Sequence, residues 1–215
     1  LSKCFSSLTI VRPVFSKYFN WYPFFKALSV RSVHEFVENP SWNFLIISGL
    51  AGPAKDIGFL TKESSNTFLF GGAMGGALPT SLGLAVSQPS KRVLCVSGDG
   101  DVLMSMGSLA TIATLKPKNL TIICIDNALY QETGGQKSHT GLGVDLAKVA
   151  EGCGFPLVHS VANEEELYKG SSLIDSNIDG PLFILLKVDK SKPPQYSRNW
   201  NASEEKLKFR RNLLK

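Results

Sequence analysis

Apolar residues gather in six short runs along the chain: Phe44 to Ile47, Thr67 to Phe70, Val93 to Val96, Leu120 to Ile125, Leu157 to Val161 and Leu182 to Val188. Each is short, aliphatic or β-branched, and without polar alternation, which predicts strands buried on both faces. Most of the gaps between them are long enough for a helix, as in "GALPTSLGLAVSQ", "LMSMGSLATIATLK", "DLAKVAEGCG" and "NEEELYKGSSLI". Strand, helix, strand repetition predicts an α/β fold, a three-layer α/β/α arrangement around a central parallel sheet of about six strands. Open parallel sheets bind ligands beyond the carboxyl ends of their strands. Three polar or glycine-rich loops follow strands at that edge: "GGAMGGALP", "SGDGD" and "DNALYQETGGQ". A functional site is expected where they converge.

The flanks read differently. Phe24, Phe25, Leu28, Val33, Phe36 and Val37 recur at mostly helical spacing, and Asn39 and Pro40 end the pattern. Residues 1–27 are rich in Ser, basic residues and aromatics, and two readings are open: a transit-like segment, or an extension or docking arm without fixed structure. Residues 28–195 are expected to form the main domain and 196–215 a helical tail. In that tail Ser203 precedes Glu204 and Glu205, and basic residues occupy the last turns. Packing against its own domain and docking to a partner are the alternatives for it.

Charge adds little to this picture. Of the 23 basic residues, Lys3, Arg12, Lys17, Lys26 and Arg31 precede residue 35, where no acid occurs; the other 18 face all 18 acidic residues. The net charge of +5 thus comes from one terminal segment and not from a basic groove, and no nucleic-acid motif accompanies it. No apolar run approaches the roughly 20 residues of a membrane-spanning helix. Cys4, Cys95, Cys124 and Cys153 have no CxxC spacing, so they read as small buried hydrophobes in a reducing compartment. A cytoplasmic location is expected, and the acid-free N-terminus keeps organellar import open.

The loops carry the chemistry. Gly98 and Gly100 let backbone N–H groups approach an anion, and a following helix would add its positive end. Asp99 between them would repel phosphate unless a divalent cation intervened. Asn127, at the end of the next strand, can offer that cation a neutral oxygen. Mg²⁺ takes about six oxygens, usually from one or two carboxylates plus phosphate and water. A lone GDG is an ordinary turn; GDG at 98–100 with Asn127 at the next strand end is far more specific.

With "GAMGGALPTSLGLA", "GDGDVLMSMGSLATIA", "DNALYQETGGQKSHT", "VDLAKVAEGCG" and "GPLFILLKV", residues 28–195 resemble the diphosphate-binding domain of thiamine diphosphate enzymes. Within that family they resemble the sulfopyruvate decarboxylase β subunit and the matching half of phosphonopyruvate decarboxylase. The resemblance implies that Asp99, Asn127 and the Leu129 carbonyl hold Mg²⁺, and that backbone groups around Gly98, Gly100 and Asp101 meet the diphosphate of thiamine diphosphate. It also implies that Met74 props the bent cofactor and that the Gly72 carbonyl meets its aminopyrimidine. For Met74 a core methionine is the alternative. Many relatives have Ser or Ala where this chain has Asp101, whose charge beside a diphosphate is unfavourable unless it points away or is paired. Lys137 and Ser138 stand where relatives often carry Pro and Thr; Lys137 reads as an anion contact or a solvated lysine. His139 is the candidate for catalytic proton transfer, because an imidazole exchanges protons near neutral pH, with a structural loop role as the alternative.

Thiamine catalysis in this family needs a Glu on a pyrimidine-binding domain. Residues 1–50 offer only Glu35 and Glu38, on the helix expected outside the sheet. The resemblance therefore implies half an active site, a hetero-oligomer in which a separate pyrimidine-binding subunit supplies the Glu and a small 2-oxo acid is decarboxylated. A carboligase subunit of the acetolactate synthase type and a non-catalytic thiamine diphosphate-binding module are the alternatives.

Overall fold

A computed structural model describes residues 44–162, 164–174, 176, 178–188 and 196–214. The helix expected over Phe24–Val37, and with it Glu35 and Glu38, lies outside the described residues.

All six expected strands form: β1 Phe44–Ser48, β2 Thr67–Leu69, β3 Arg92–Gly98, β4 Leu120–Asp126, β7 Leu157–Val161 and β8 Leu182–Lys187. They make one sheet in the order β2-β1-β3-β4-β8-β7, and every neighbouring pair is parallel. Alternate side chains feed two cores. Leu45, Ile47, Val93, Cys95, Ile122, Cys124, Phe183 and Leu185 face helices α2 Ala77–Ser87, α4 Gly107–Leu115 and α5 Leu146–Cys153 through Leu78, Leu82, Leu109, Ile112, Leu146 and Ala150. Ile46, Leu94, Val96, Ile123, Ile125 and Ile184 face α1 Gly52–Thr61 and α6 Glu164–Ile174 through Ala54, Ile57 and Ile174. The fold is three-layer α/β/α. Burying such side chains contributes about 1.5–3 kcal/mol each, so both faces of the sheet are committed to the core and ligands are left the strand ends.

Local chemistry sets the helix ends. Asp145 caps α5 by accepting from Ala147 N at 3.0 Å, and Gly154, with φ of 95°, ends it. The single helix expected in "LMSMGSLATIATLK" is instead two. The six-residue α3, Asp99–Met104, starts at the GDG aspartate itself and stops at Ser105, and α4 begins at Gly107. Periodicity missed this break because Met104 and Met106 are exposed and mark no apolar face.

The C-terminal segment closes the β2 edge. Helix α7, Ala202–Leu213, is capped by Asn201, which accepts from Glu204 N at 3.2 Å, and not by Ser203. Phe209 is buried against Phe68, with ring centroids 5.8 Å apart. Arg198 donates to the Leu69 and Phe70 carbonyls at 2.8 Å each, and Tyr196 Oη donates to Glu63 at 2.9 Å. Among the described residues, no helix is long and apolar enough to cross a membrane. Cys95 and Cys124 are buried and free, and burial pushes the Cys95 thiol up to about 12, which leaves it inert.

Candidate functional site

The β3–β4 pairing places Gly98 opposite Ile125. Asp99 and Asn127 thus leave neighbouring parallel strands at the same carboxyl edge. Beyond β4 the chain turns sharply at Ala128, with φ of 61°, and runs through a small antiparallel hairpin, β5 Leu129–Tyr130 with β6 Gln136–Lys137. Ser138 N then donates to the Ala128 carbonyl at 3.1 Å. This return carries two hydroxyls onto the GDG turn.

Ser138 Oγ donates to Asp99 Oδ2 at 2.5 Å. Thr140 Oγ1 lies 2.9 Å from the same oxygen and 2.7 Å from Asp126 Oδ1. Asp126, at the end of β4, also accepts from Ala128 N at 3.0 Å and Lys187 Nζ at 2.5 Å, its partner in the β4–β8 ladder. The result is a connected set, Ser138, Asp99, Thr140, Asp126 and Lys187, spanning three strand ends. Burial raises the Asp99 pKa, and nearby Asp126 raises it too, while the Ser138 and Thr140 hydroxyls oppose them.

Asn127 is half-buried, and its Oδ1 accepts from Leu129 N at 3.0 Å. That bond fixes the amide with its carbonyl oxygen at the turn. A carboxylate, an amide oxygen and the Leu129 carbonyl would make an all-oxygen set of low charge, the kind Mg²⁺ takes.

The glycines divide into two kinds. A Cβ at Gly100 would collide with the Tyr130 ring and lie 3.3 Å from Met74 Cε, so internal packing alone requires glycine there. At Gly72 nothing lies within 4 Å, and at Gly98 the nearest atom is 3.8 Å away with ordinary extended backbone. Packing does not demand glycine at either position, and both leave backbone open to close approach by a ligand. That is the cradle a diphosphate cofactor requires, so the residues fit the group. Met74 is 37% exposed. It is not a core methionine: it reaches over Gly100 from the loop after β2. The Gly72 carbonyl accepts from Met74 N at 3.2 Å within that loop.

Asp101 points away from the open face. Its carboxylate accepts from Ser97 Oγ and from Gly75 N, and it is 4% exposed. Burial raises its pKa, with both hydrogen bonds opposing. The charge that looked unfavourable beside a diphosphate is turned inward and hydrogen-bonded. His139 is exposed on the rim, with Nδ1 3.4 Å from Tyr130 Oη; Lys137 is exposed in β6.

Asp126, Thr140, Tyr130, Lys187 and Gly75 belong to this site and were not singled out from sequence. Only "KSHT" carried a signal, two hydroxyls flanking His139. The rest depend on strand order and on the fold-back of the hairpin.

Residues 56–184 match the family described as thiamine pyrophosphate enzyme, C-terminal TPP binding domain. The chain belongs to this family. It is 38% identical over 133 residues to the sulfopyruvate decarboxylase subunit beta of Methanocaldococcus jannaschii, covering 62% of this chain and 70% of that protein. It is 38% identical over 130 residues to the phosphonopyruvate decarboxylase of Streptomyces viridochromogenes, covering 60% of this chain but 32% of that protein. Among solved structures, the 2-oxoglutarate:ferredoxin oxidoreductase of Magnetococcus marinus aligns with a TM-score of 0.58 at 20% identity, over 80% of this chain and 63% of that one. This last likeness concerns the fold alone. Thiamine pyrophosphate is thiamine diphosphate, and the matched residues 56–184 include Gly72, Gly98 and Asp99.

Proposed function

We propose that the chain is the Mg²⁺- and diphosphate-binding subunit of a thiamine diphosphate-dependent decarboxylase acting on a small 2-oxo acid of the 3-sulfopyruvate or 3-phosphonopyruvate class. A separate pyrimidine-binding subunit completes the site and supplies the activating Glu. The observation that carries this reading is the convergence of three strand-end loops on Asp99, whose carboxylate is fixed by Ser138 and Thr140 beside Asn127. The names and extents of the sulfopyruvate and phosphonopyruvate relatives support the reaction class.

In this reading Asp99, the Asn127 amide oxygen and the Leu129 carbonyl hold Mg²⁺. Main-chain groups of Gly98, Gly100 and Asp101 receive the diphosphate. The Gly72 carbonyl and Met74 seat the rings. When bound, thiamine diphosphate supplies the electron sink that a 2-oxo acid needs to release CO₂. The chain orients that group by preorganised oxygens and backbone dipoles, and His139 at the rim holds or releases a proton at its imidazole.

Calorimetry of the full chain, alone and with a pyrimidine-binding subunit, with and without Mg²⁺, tests the binding half. Release of CO₂ from 3-sulfopyruvate, 3-phosphonopyruvate and pyruvate tests the reaction. Saturable Mg²⁺-dependent binding and CO₂ release only with the partner present are expected. Absence of Mg²⁺-dependent binding in both states overturns the assignment.

A further inference from the structure

Asp101 joins three segments that are distant in sequence. One carboxylate oxygen takes the Ser97 hydroxyl from β3, and the other takes the Gly75 N–H, 26 positions away in the loop after β2. The third segment is the end of β1, where a Cβ on Gly49 would collide with Asp101 Oδ2 and approach Ser97 Oγ to 2.6 Å. The carboxylate fills a slot that β1 keeps free only because residue 49 has no side chain. A buried acceptor needs donors, and this one receives a hydroxyl and an amide.

The loop that Asp101 grips carries Gly72 and Met74. At its start Phe70 N donates to Ser48 O at 3.0 Å, and near its end Gly75 N is held by Asp101. Between these anchors residues 71–74 are exposed, with Met74 N bonded locally to Gly72 O. Met74 Cε nevertheless reaches the Gly100 backbone, on the residue just before Asp101.

We propose that Asp101 is a positioning residue: its buried carboxylate is a strut that holds the Met74 loop in register with the Asp99–Gly100 turn. The two parts of the cofactor cradle, the oxygen ligands at the β3 and β4 ends and the apolar prop after β2, are thereby set relative to each other before any ligand arrives. This rests on the cofactor reading above and adds a residue whose side chain never meets the cofactor.

NMR on the full chain without cofactor, labelled with ¹⁵N and with ¹³C at the methionine methyls, tests the strut directly. In Asp101→Ser, whose side chain is too short to reach Gly75, the Gly75 amide should exchange at least about tenfold faster, the loss expected for one charge-assisted hydrogen bond. The Met74 methyl resonance should shift and narrow as the loop loosens, while amides of Leu94 and Ile122 stay protected. Asp101→Asn keeps an oxygen for Gly75 N–H and offers its amide to Ser97 Oγ, so it should retain both signals. Thiamine diphosphate affinity with Mg²⁺ should weaken about tenfold in the Ser variant and return in the Asn variant. Unchanged Gly75 exchange and an unchanged Met74 methyl in a folded Ser variant would overturn the proposal. Gly49→Ala, which displaces the same carboxylate without altering Asp101, makes the same demand on both signals if the Ser variant does not fold. Because these signals are read without cofactor, failure of the wild-type chain to bind thiamine diphosphate would sink the functional reading and leave the strut to be judged on them.

Discussion

Ser138 Oγ donates to Asp99 Oδ2 at 2.5 Å, across 39 positions of sequence. A hydrogen bond to a carboxylate is worth about 1.5–3 kcal/mol, and this one orients the proposed metal ligand. Ser138→Ala should weaken Mg²⁺-dependent thiamine diphosphate binding about tenfold or more, whereas Ser138→Thr keeps the hydroxyl and should stay close to wild type. Titration calorimetry at fixed pH distinguishes the two.

Asp99 itself admits no such rescue. Asp99→Asn removes the one formal negative charge in the proposed donor set, and binding should fall by at least about a hundredfold with the far-ultraviolet circular dichroism spectrum unchanged. Equal cofactor affinity in the variant would refute the Mg²⁺ assignment.

The raised pKa of Asp99, caused first by burial, gives loading a pH dependence. A metal binds the carboxylate, so a proton competes with it. Affinity should therefore decline as pH falls, and the decline should begin at higher pH than an ordinary Asp, near 3.9, would produce. Dissociation constants measured from neutral pH downward check the direction; Asp99→Asn should abolish the pH dependence along with most of the binding.

Asp56 in α1 is a separate test of the apolar core. Burial pushes its carboxyl from 3.8 up to about 8, with Lys55 opposing. The folded state thus binds a proton more tightly than the unfolded chain. The stability this proton contributes is complete below about pH 4, declines through the interval, and is lost above about pH 8. Asp56→Asn, a neutral isostere, should raise the melting temperature by several degrees at pH 9 and flatten its pH dependence. Thermal melts at pH 5, 7 and 9 would show it.

Arg198 anchors the C-terminal segment through two bonds of 2.8 Å to the Leu69 and Phe70 carbonyls, and its guanidinium lies 4.6 Å from the Trp200 ring centroid. Arg198→Ala leaves two carbonyls at the end of β2 without donors. It should cost about 2–3 kcal/mol in urea unfolding.

The strands show how far pattern alone reaches. Runs such as "VLCV" and "IICI" are apolar at every position, and a sheet covered on both faces buries them. Once the strands are parallel, Asp99 and Asn127 must leave the same edge. The GDG and Asn spacing then placed the metal candidates with no knowledge of packing. The Ser203 cap failed for a local reason: Asn201 lies closer to the helix start and accepts from Glu204 N.

Sequence by itself determined the strand pattern, the sheet edge at which the glycine-rich loops gather and the residues whose chemistry suits a metal and a diphosphate. Those properties reside in periodicity and residue type, which are local. Tertiary structure alone decided that Asp101 faces Ser97 and Gly75, that Met74 lies outside the core over Gly100, and that Ser138 and Thr140 grip Asp99. These depend on strand order and on the return of the β5–β6 hairpin, and the direction of a side chain in a loop follows from the surfaces brought against it.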